Sequence, residues 1–174
     1  MKKTMSKMLV GVGFSCVLLV GFFYANGDVG VTSNRLEEDI RSSQNIKEDW
    51  IVEGYVSDNM AAFIAYPQDR ADHNFSIYVK RPELSFGYFF RGGGDIVQAE
   101  KYIAEFTVEG YNERAFISTN TQSVDRVEID VGNSVRVIDI DNNKPFAIVL
   151  PDNVGEICFY DVNGNVVEYR NHLL

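Results

Sequence analysis

From Trp50 onward, hydrophobic and polar positions alternate with a period of two. Phe75, Ile77 and Val79 are separated by Ser76 and Tyr78. Tyr102, Ala104, Phe106 and Val108 are separated by Ile103, Glu105 and Thr107, and Val127, Ile129 and Val131 by Glu128 and Asp130. Successive side chains of an extended chain point to opposite faces, so each run predicts a strand with one face in a core and one in water. Residues 61–66 and 146–150 are apolar on both faces, as expected of central strands covered from both sides. Pro145 and Pro151 bracket the second of these runs, where a missing backbone donor does least harm. Between Val137 and Ile138 the apolar parity switches. A one-residue bulge there would return Val135, Val137, Ile138 and Ile140 to one core.

Turn signals punctuate these runs. Gly132-Asn133 separates two strands, residues 141–144 the next two, and Asn163-Gly164 marks a two-residue hairpin. Residues 95–103 have mixed periodicity and fit either a strand or one or two helical turns. The reading is a mainly β domain over residues 50–174, an antiparallel β-sandwich or curled sheet of about nine short strands.

The N-terminal pattern is different. Residues 8–25 carry no charged side chain and are dense in Val, Leu, Phe and Gly. As a helix they would span about 27 Å, close to the hydrocarbon thickness of a bilayer. Lys2, Lys3 and Lys7 form a basic tip before the run and Asp28 follows it, so residues 1–7 are expected inside and the C-terminal domain outside. The length of the run favours an uncleaved single-pass signal anchor. The small residues Ala25 and Gly27 leave open a signal peptide cut before Asp28, which would release the domain. Residues 26–49 are polar and read as a stalk. Within it, Asn34 and Glu37 are spaced for a capping box, and Leu36 and Ile40 provide one apolar contact per turn of a short helix.

Charge narrows the partners. The chain carries −9, and residues 1–30 contribute +2 from Lys2, Lys3 and Lys7 against Asp28, leaving −11 for the remainder. So acidic a domain is unsuited to nucleic-acid backbones and is repelled as a whole by anionic headgroups. Cys16 lies in the apolar run and Cys158 in the β region. The membrane separates them, so no intramolecular disulfide is expected, and Cys158 reads as a small core residue.

Chemistry-bearing motifs are sparse. The aromatic strand ending in Arg91-Gly92-Gly93-Gly94 is the most distinctive feature. Tyr88, Phe89, Arg91, Gly92, Gly93 and Gly94 are the ligand-binding candidates, because consecutive glycines permit close approach of another group. No Lys-Ser/Thr follows them as in a phosphate loop, and a bulged strand end accounts for the same residues. Residues 139–143 and 161–165 imitate the start of a calcium loop but lack its sixth and twelfth positions, and Asx-rich turns explain both. His73 and His172 have no partners at zinc-ligand spacing, and no nucleophile elbow is present. Hence no catalytic residue, metal or cofactor is expected.

The order of features, from Met60-Ala61-Ala62-Phe63-Ile64 through residues 75–81 and the triglycine to residues 157–166, resembles small membrane-anchored extracytoplasmic proteins of Gram-positive bacteria that are uncharacterised. The resemblance implies location and β architecture and carries no functional residue. The function expected is a binding or regulatory module in the cell envelope, partnered with the membrane through residues 8–25 and with an envelope protein. An envelope enzyme with an unrecognised site and a secreted small-ligand binder are the alternatives.

Overall fold

The computed structural model describes residues 27–82, 85–96 and 102–174. Among these the protein is mainly β, with twelve strands in three four-stranded sheets rather than about nine strands. In the first sheet, β1 (Ile51–Val56), β2 (Met60–Tyr66), β3 (Asn74–Val79) and β4 (Phe89–Asp95) form an antiparallel meander. The second has the order β12-β5-β6-β9, from β5 (Ile103–Thr107), β6 (Glu113–Ser118), β9 (Phe146–Pro151) and β12 (Tyr169–Leu173), with β12 parallel to β5. The third has the order β11-β10-β7-β8, from β7 (Val124–Asp130), β8 (Val135–Asp139), β10 (Ile157–Asp161) and β11 (Val166–Val167).

The sheets stack, and the second lies in the middle. On one side Ala104, Phe106, Ala115, Ile117, Ala147 and Val149 meet Met60, Ala62, Ile64, Ile77 and Val79 of the first sheet. On the other, Ile103, Phe116, Phe146 and Leu150 meet Val127, Ile129, Ile157 and Phe159 of the third. Residues 146–150 are therefore apolar on both faces because both faces are covered, as their pattern predicts. The same stacking changes the expected half-solvated character of β5, whose Ile103 and Glu105 are buried as well as Ala104 and Phe106. Asp152 N–H donates to Asn112 O, so the strand phase containing Pro145 and Pro151 points away from β6. Neither proline removes a ladder hydrogen bond.

The segment read as a stalk is part of the domain over most of its length. A 3₁₀ turn (Ser33–Arg35) leads into α1 (Leu36–Ser43), which lies on the outer face of the first sheet. Leu36 and Ile40 are buried there with Ala61, Tyr78 and Tyr88. This helix explains why Ser76 and Tyr78, on the face of β3 expected in water, are buried. Arg41 closes the following loop by donating to the carbonyls of Lys47 (3.0 Å) and Trp50 (3.1 Å). The capping box is not formed. Arg35 occupies the cap position without a side-chain cap, and Asn34 Oδ1 instead accepts the Thr32 hydroxyl at 2.7 Å. Glu37, Glu38 and Asp39 in the first turn favour the helix dipole.

Two further local expectations are corrected. No bulge occurs at Val137/Ile138: β8 pairs with β7 in unbroken register, Ile138 and Ile140 pack on the core, and Val135 and Val137 stay 59% and 52% exposed. An edge strand tolerates this, because its outer face has nothing to match. The hairpin at Asn163-Gly164 has a three-residue loop, not two. Gly164 N–H donates to Asp161 O and Asp161 N–H to Asn165 O, with Gly164 at φ +82°, the left-handed position of a type I turn closed by a bulge. The Gly132 and 141–144 turns stand as expected, with Val131 N–H donating to Ser134 O and Lys144 N–H to Asp141 O. Residues 8–25 lie outside the described residues. Among the described residues no helix is long and apolar enough to cross a membrane.

Candidate functional site

The six residues singled out in the sequence all lie at the β4 end of the first sheet, but they do not line one pocket. Tyr88 is buried, and its hydroxyl donates to Ser57 O at 2.6 Å. The Phe89 ring is covered by the Arg81 guanidinium, 4.0 Å from its centroid. Arg91 is the extra residue of a bulge: Gly92 pairs with Ile77 and Phe90 with Tyr78. Gly92 and Gly93 are explained by close approach within the chain itself, whereas Gly94 faces open space at φ +146°. A Cβ on Gly93 would lie 2.6 Å from Phe75 O and closer still to the Gln44 amide, whose Nε2 donates to Ser76 Oγ at 3.1 Å. A Cβ on Gly92 would meet the Leu174 side chain at 3.1 Å. The triglycine thus lets the segment after α1 and the C-terminus both close on β4. Phe89 and Arg91 do share a shallow hollow of about 260 Å³ with Arg81, Phe90, Glu109 and Tyr111.

A larger opening lies at the opposite edge of the first sheet. A groove of about 550 Å³ runs between β1, the loop after β8 and the start of β9, lined by Val52, Glu53, Gly54, Asp141, Lys144 and Phe146 among others. Ser57 N–H donates to Met60 O, so with the unbroken β1–β2 register Ile51, Glu53 and Tyr55 bond β2. Val52, Gly54 and Val56 direct their amides and carbonyls outward. Gly54 is required here, because a Cβ would collide with the Ala62 carbonyl. β1 therefore presents an unpaired strand edge beside the groove.

The polar groups of the groove are acidic in balance. Glu53, Asp139 and Asp141 line it with one cation, Lys144, whose Nζ sits 3.7 Å from both Glu53 and Asp141. Glu53 also accepts the Tyr66 hydroxyl at 3.1 Å. Burial, followed by the Glu53 charge and this hydrogen bond, pushes the Tyr66 phenol up to about 12. It is a fixed donor at neutral pH. The Asx turn at Asp141 is internally satisfied, with Asn143 N–H donating to Oδ1 at 3.0 Å.

The second calcium-like segment is satisfied in the same way. Asp161 Oδ1 accepts Asn163 and Asn165 N–H, and Oδ2 accepts Asn165 Nδ2. These bonds hold its carboxyl below the usual range. No group of three or more His, Cys, Asp or Glu side chains fit for a metal ion occurs among the described residues. The Cys158 thiol is half-buried, and burial, then Glu156, raises its pKa, which disfavours the thiolate.

One buried polar cluster was not legible in the sequence. Glu105, 4% exposed, accepts Arg114 Nη1 at 2.7 Å and Asn171 Nδ2 at 3.2 Å, and Arg114 Nε lies 3.0 Å from Asp152. It ties β5, β6, β12 and the loop after β9 together, a structural role that a buried, fully paired carboxylate fits.

No family model, curated protein or solved structure matches the chain.

Proposed function

We propose that the chain is a membrane-tethered binding module of the cell envelope, held by residues 8–25 with its β domain outside, and that its partner is an extended peptide segment bearing basic side chains. The tether rests on the uncharged run, with three lysines before it and Asp28 after it. The single observation that carries the binding reading is the groove beside β1. There Val52 and Gly54 offer unpaired backbone groups next to Glu53, Asp139 and Asp141. A strand added to such an edge gains main-chain hydrogen bonds from the edge and selectivity from side chains alternating along it. The acidic balance selects for Lys or Arg on the added strand. The β9 edge, with Pro145 and Pro151 on its outward phase, offers fewer donors, so β1 is the pairing edge.

The test uses the full chain in detergent and a synthetic peptide alternating lysine and valine. Binding is expected to weaken with salt, to weaken again in the Asp139→Asn/Asp141→Asn variant, and to vanish when a central valine and the lysine beside it both become proline, so that a donor is lost whichever phase faces β1. Equal binding of the proline-interrupted peptide would contradict strand addition.

A further inference from the structure

The described domain starts almost where the apolar run ends. Ala25 closes that run, and the Gly27 carbonyl already accepts a hydrogen bond from Arg81 Nη1 at 3.1 Å. Asp28 Oδ1 lies 3.8 Å from the same guanidinium, which also stacks on Phe89. Phe86 N–H then donates to Asp28 O, and Gly30 N–H to Phe86 O. Only residue 26 separates the apolar run from this clamp in sequence, so the surface around Arg81 lies close to the end of that run.

That surface differs from the rest of an acidic chain. Arg81, Arg91 and Phe90 line the hollow there, Lys80 stands over the Tyr88 ring, and Phe86, bridged to Val29, and Phe90 are 57% and 51% exposed. Asp28 and Glu109 flank it, so its balance is only mildly basic, and Arg81 links the two parts, meeting Asp28 on one side and lining the hollow on the other. Arg81 and Arg91 both line the hollow together with Tyr111. Exposed aromatic rings interleaved with Arg and Lys are the side chains that favour the boundary between headgroups and acyl chains. The rings sit at the boundary and the cations meet lipid phosphates.

From this placement we infer that the β3–β4 corner of the domain is a membrane-contacting foot. Phe86 and Phe90 enter the headgroup region, and Arg81, Arg91 and Lys80 bind phosphates of the lipid surface. The inference rests on the tether proposed above. It fixes an orientation as well as a contact. β4 and β1 are opposite edges of the first sheet, about 14 Å apart at the usual strand spacing, so the groove beside β1 faces away from the bilayer.

The experiment reconstitutes the full chain, with Trp50→Phe as background, into vesicles of phosphatidylglycerol and phosphatidylcholine carrying brominated acyl chains. Three reporters are compared: Phe86→Trp, Phe90→Trp and Ala71→Trp, the last in the loop at the far end of β3, about 20 Å away. Flotation of the vesicles first shows whether the chain is inserted. A chain that does not float overturns the tether and the foot together. For a chain that floats, bromine quenching about twofold stronger at 86 and 90 than at 71 is expected, falling when Arg91→Glu is added. Quenching equal at all three positions overturns the foot and leaves the tether standing. Should the Trp50→Phe background fold poorly, a bimane label on Phe86→Cys and Ala71→Cys in a Cys16→Ser/Cys158→Ser chain reads the same difference.

Discussion

The Tyr78 hydroxyl of β3 donates to Asp39 Oδ2 of α1 at 2.7 Å, joining the helix to the sheet beneath it through the layer that Leu36 and Ile40 seal. The segment between the apolar run and the first strand is thereby built into the fold.

The integration of α1 is measurable as stability. Leu36→Ala removes a fully buried side chain and is expected to cost about 3 kcal/mol in urea unfolding. A segment acting as a detached spacer would give no change.

Burial, then the Asp39 hydrogen bond and charge, raises the Tyr78 pKa, and Tyr66 stands at about 12. Both phenols are thus harder to ionise in the folded chain than in the unfolded one, where the value is about 10. The stability they contribute is full below pH 10 and is lost as pH rises through the folded values, because the folded state then holds the protons that the unfolded state has released. Thermal unfolding should be flat to about pH 9.5 and fall steeply from pH 10 to 12. Tyr66→Phe should shallow that fall.

Period-two alternation located β3 and β7 well, because Ile77, Val79, Val127 and Ile129 do face cores. It could not show that Ser76, Tyr78 and Glu105 would also be buried, since the cover comes from α1 and from a third sheet that no local pattern announces. The bulge expected at Val137 rested on the premise that every valine seeks a core. β8 is an edge strand, and its register is set by β7. At Gly92 and Gly93 of the triglycine the groups that approach are the chain's own Leu174 and Gln44, about 80 and 50 residues away in sequence. The groove was illegible for the same reason: β1 and β9 belong to different sheets, and only the stacking brings them together.

The Glu105–Arg114 pair gives a test of the middle sheet. Arg114→Met leaves a buried carboxylate without its cation and is expected to destabilise by about 3–5 kcal/mol. Adding Glu105→Leu should recover most of that loss, as a double-mutant cycle in chemical denaturation would show.

Glycines separate into two kinds. Gly93→Ala drives a Cβ against the Phe75 carbonyl, so it should unfold or loosen β4 and expose Gln44, seen as lost amide protection. Gly164→Ala meets no neighbour and incurs only the left-handed backbone strain of about 1 kcal/mol, with hydrogen exchange elsewhere unchanged.

Sidedness is the premise of the functional account, and accessibility labelling of the intact cell reads it most directly. In a Cys16→Ser/Cys158→Ser chain, a cysteine replacing exposed Val162 should react with a membrane-impermeant maleimide in whole cells, while one replacing Ser6 should react only after lysis. Labelling of the Val162 position solely after lysis would place the β domain inside and contradict the account.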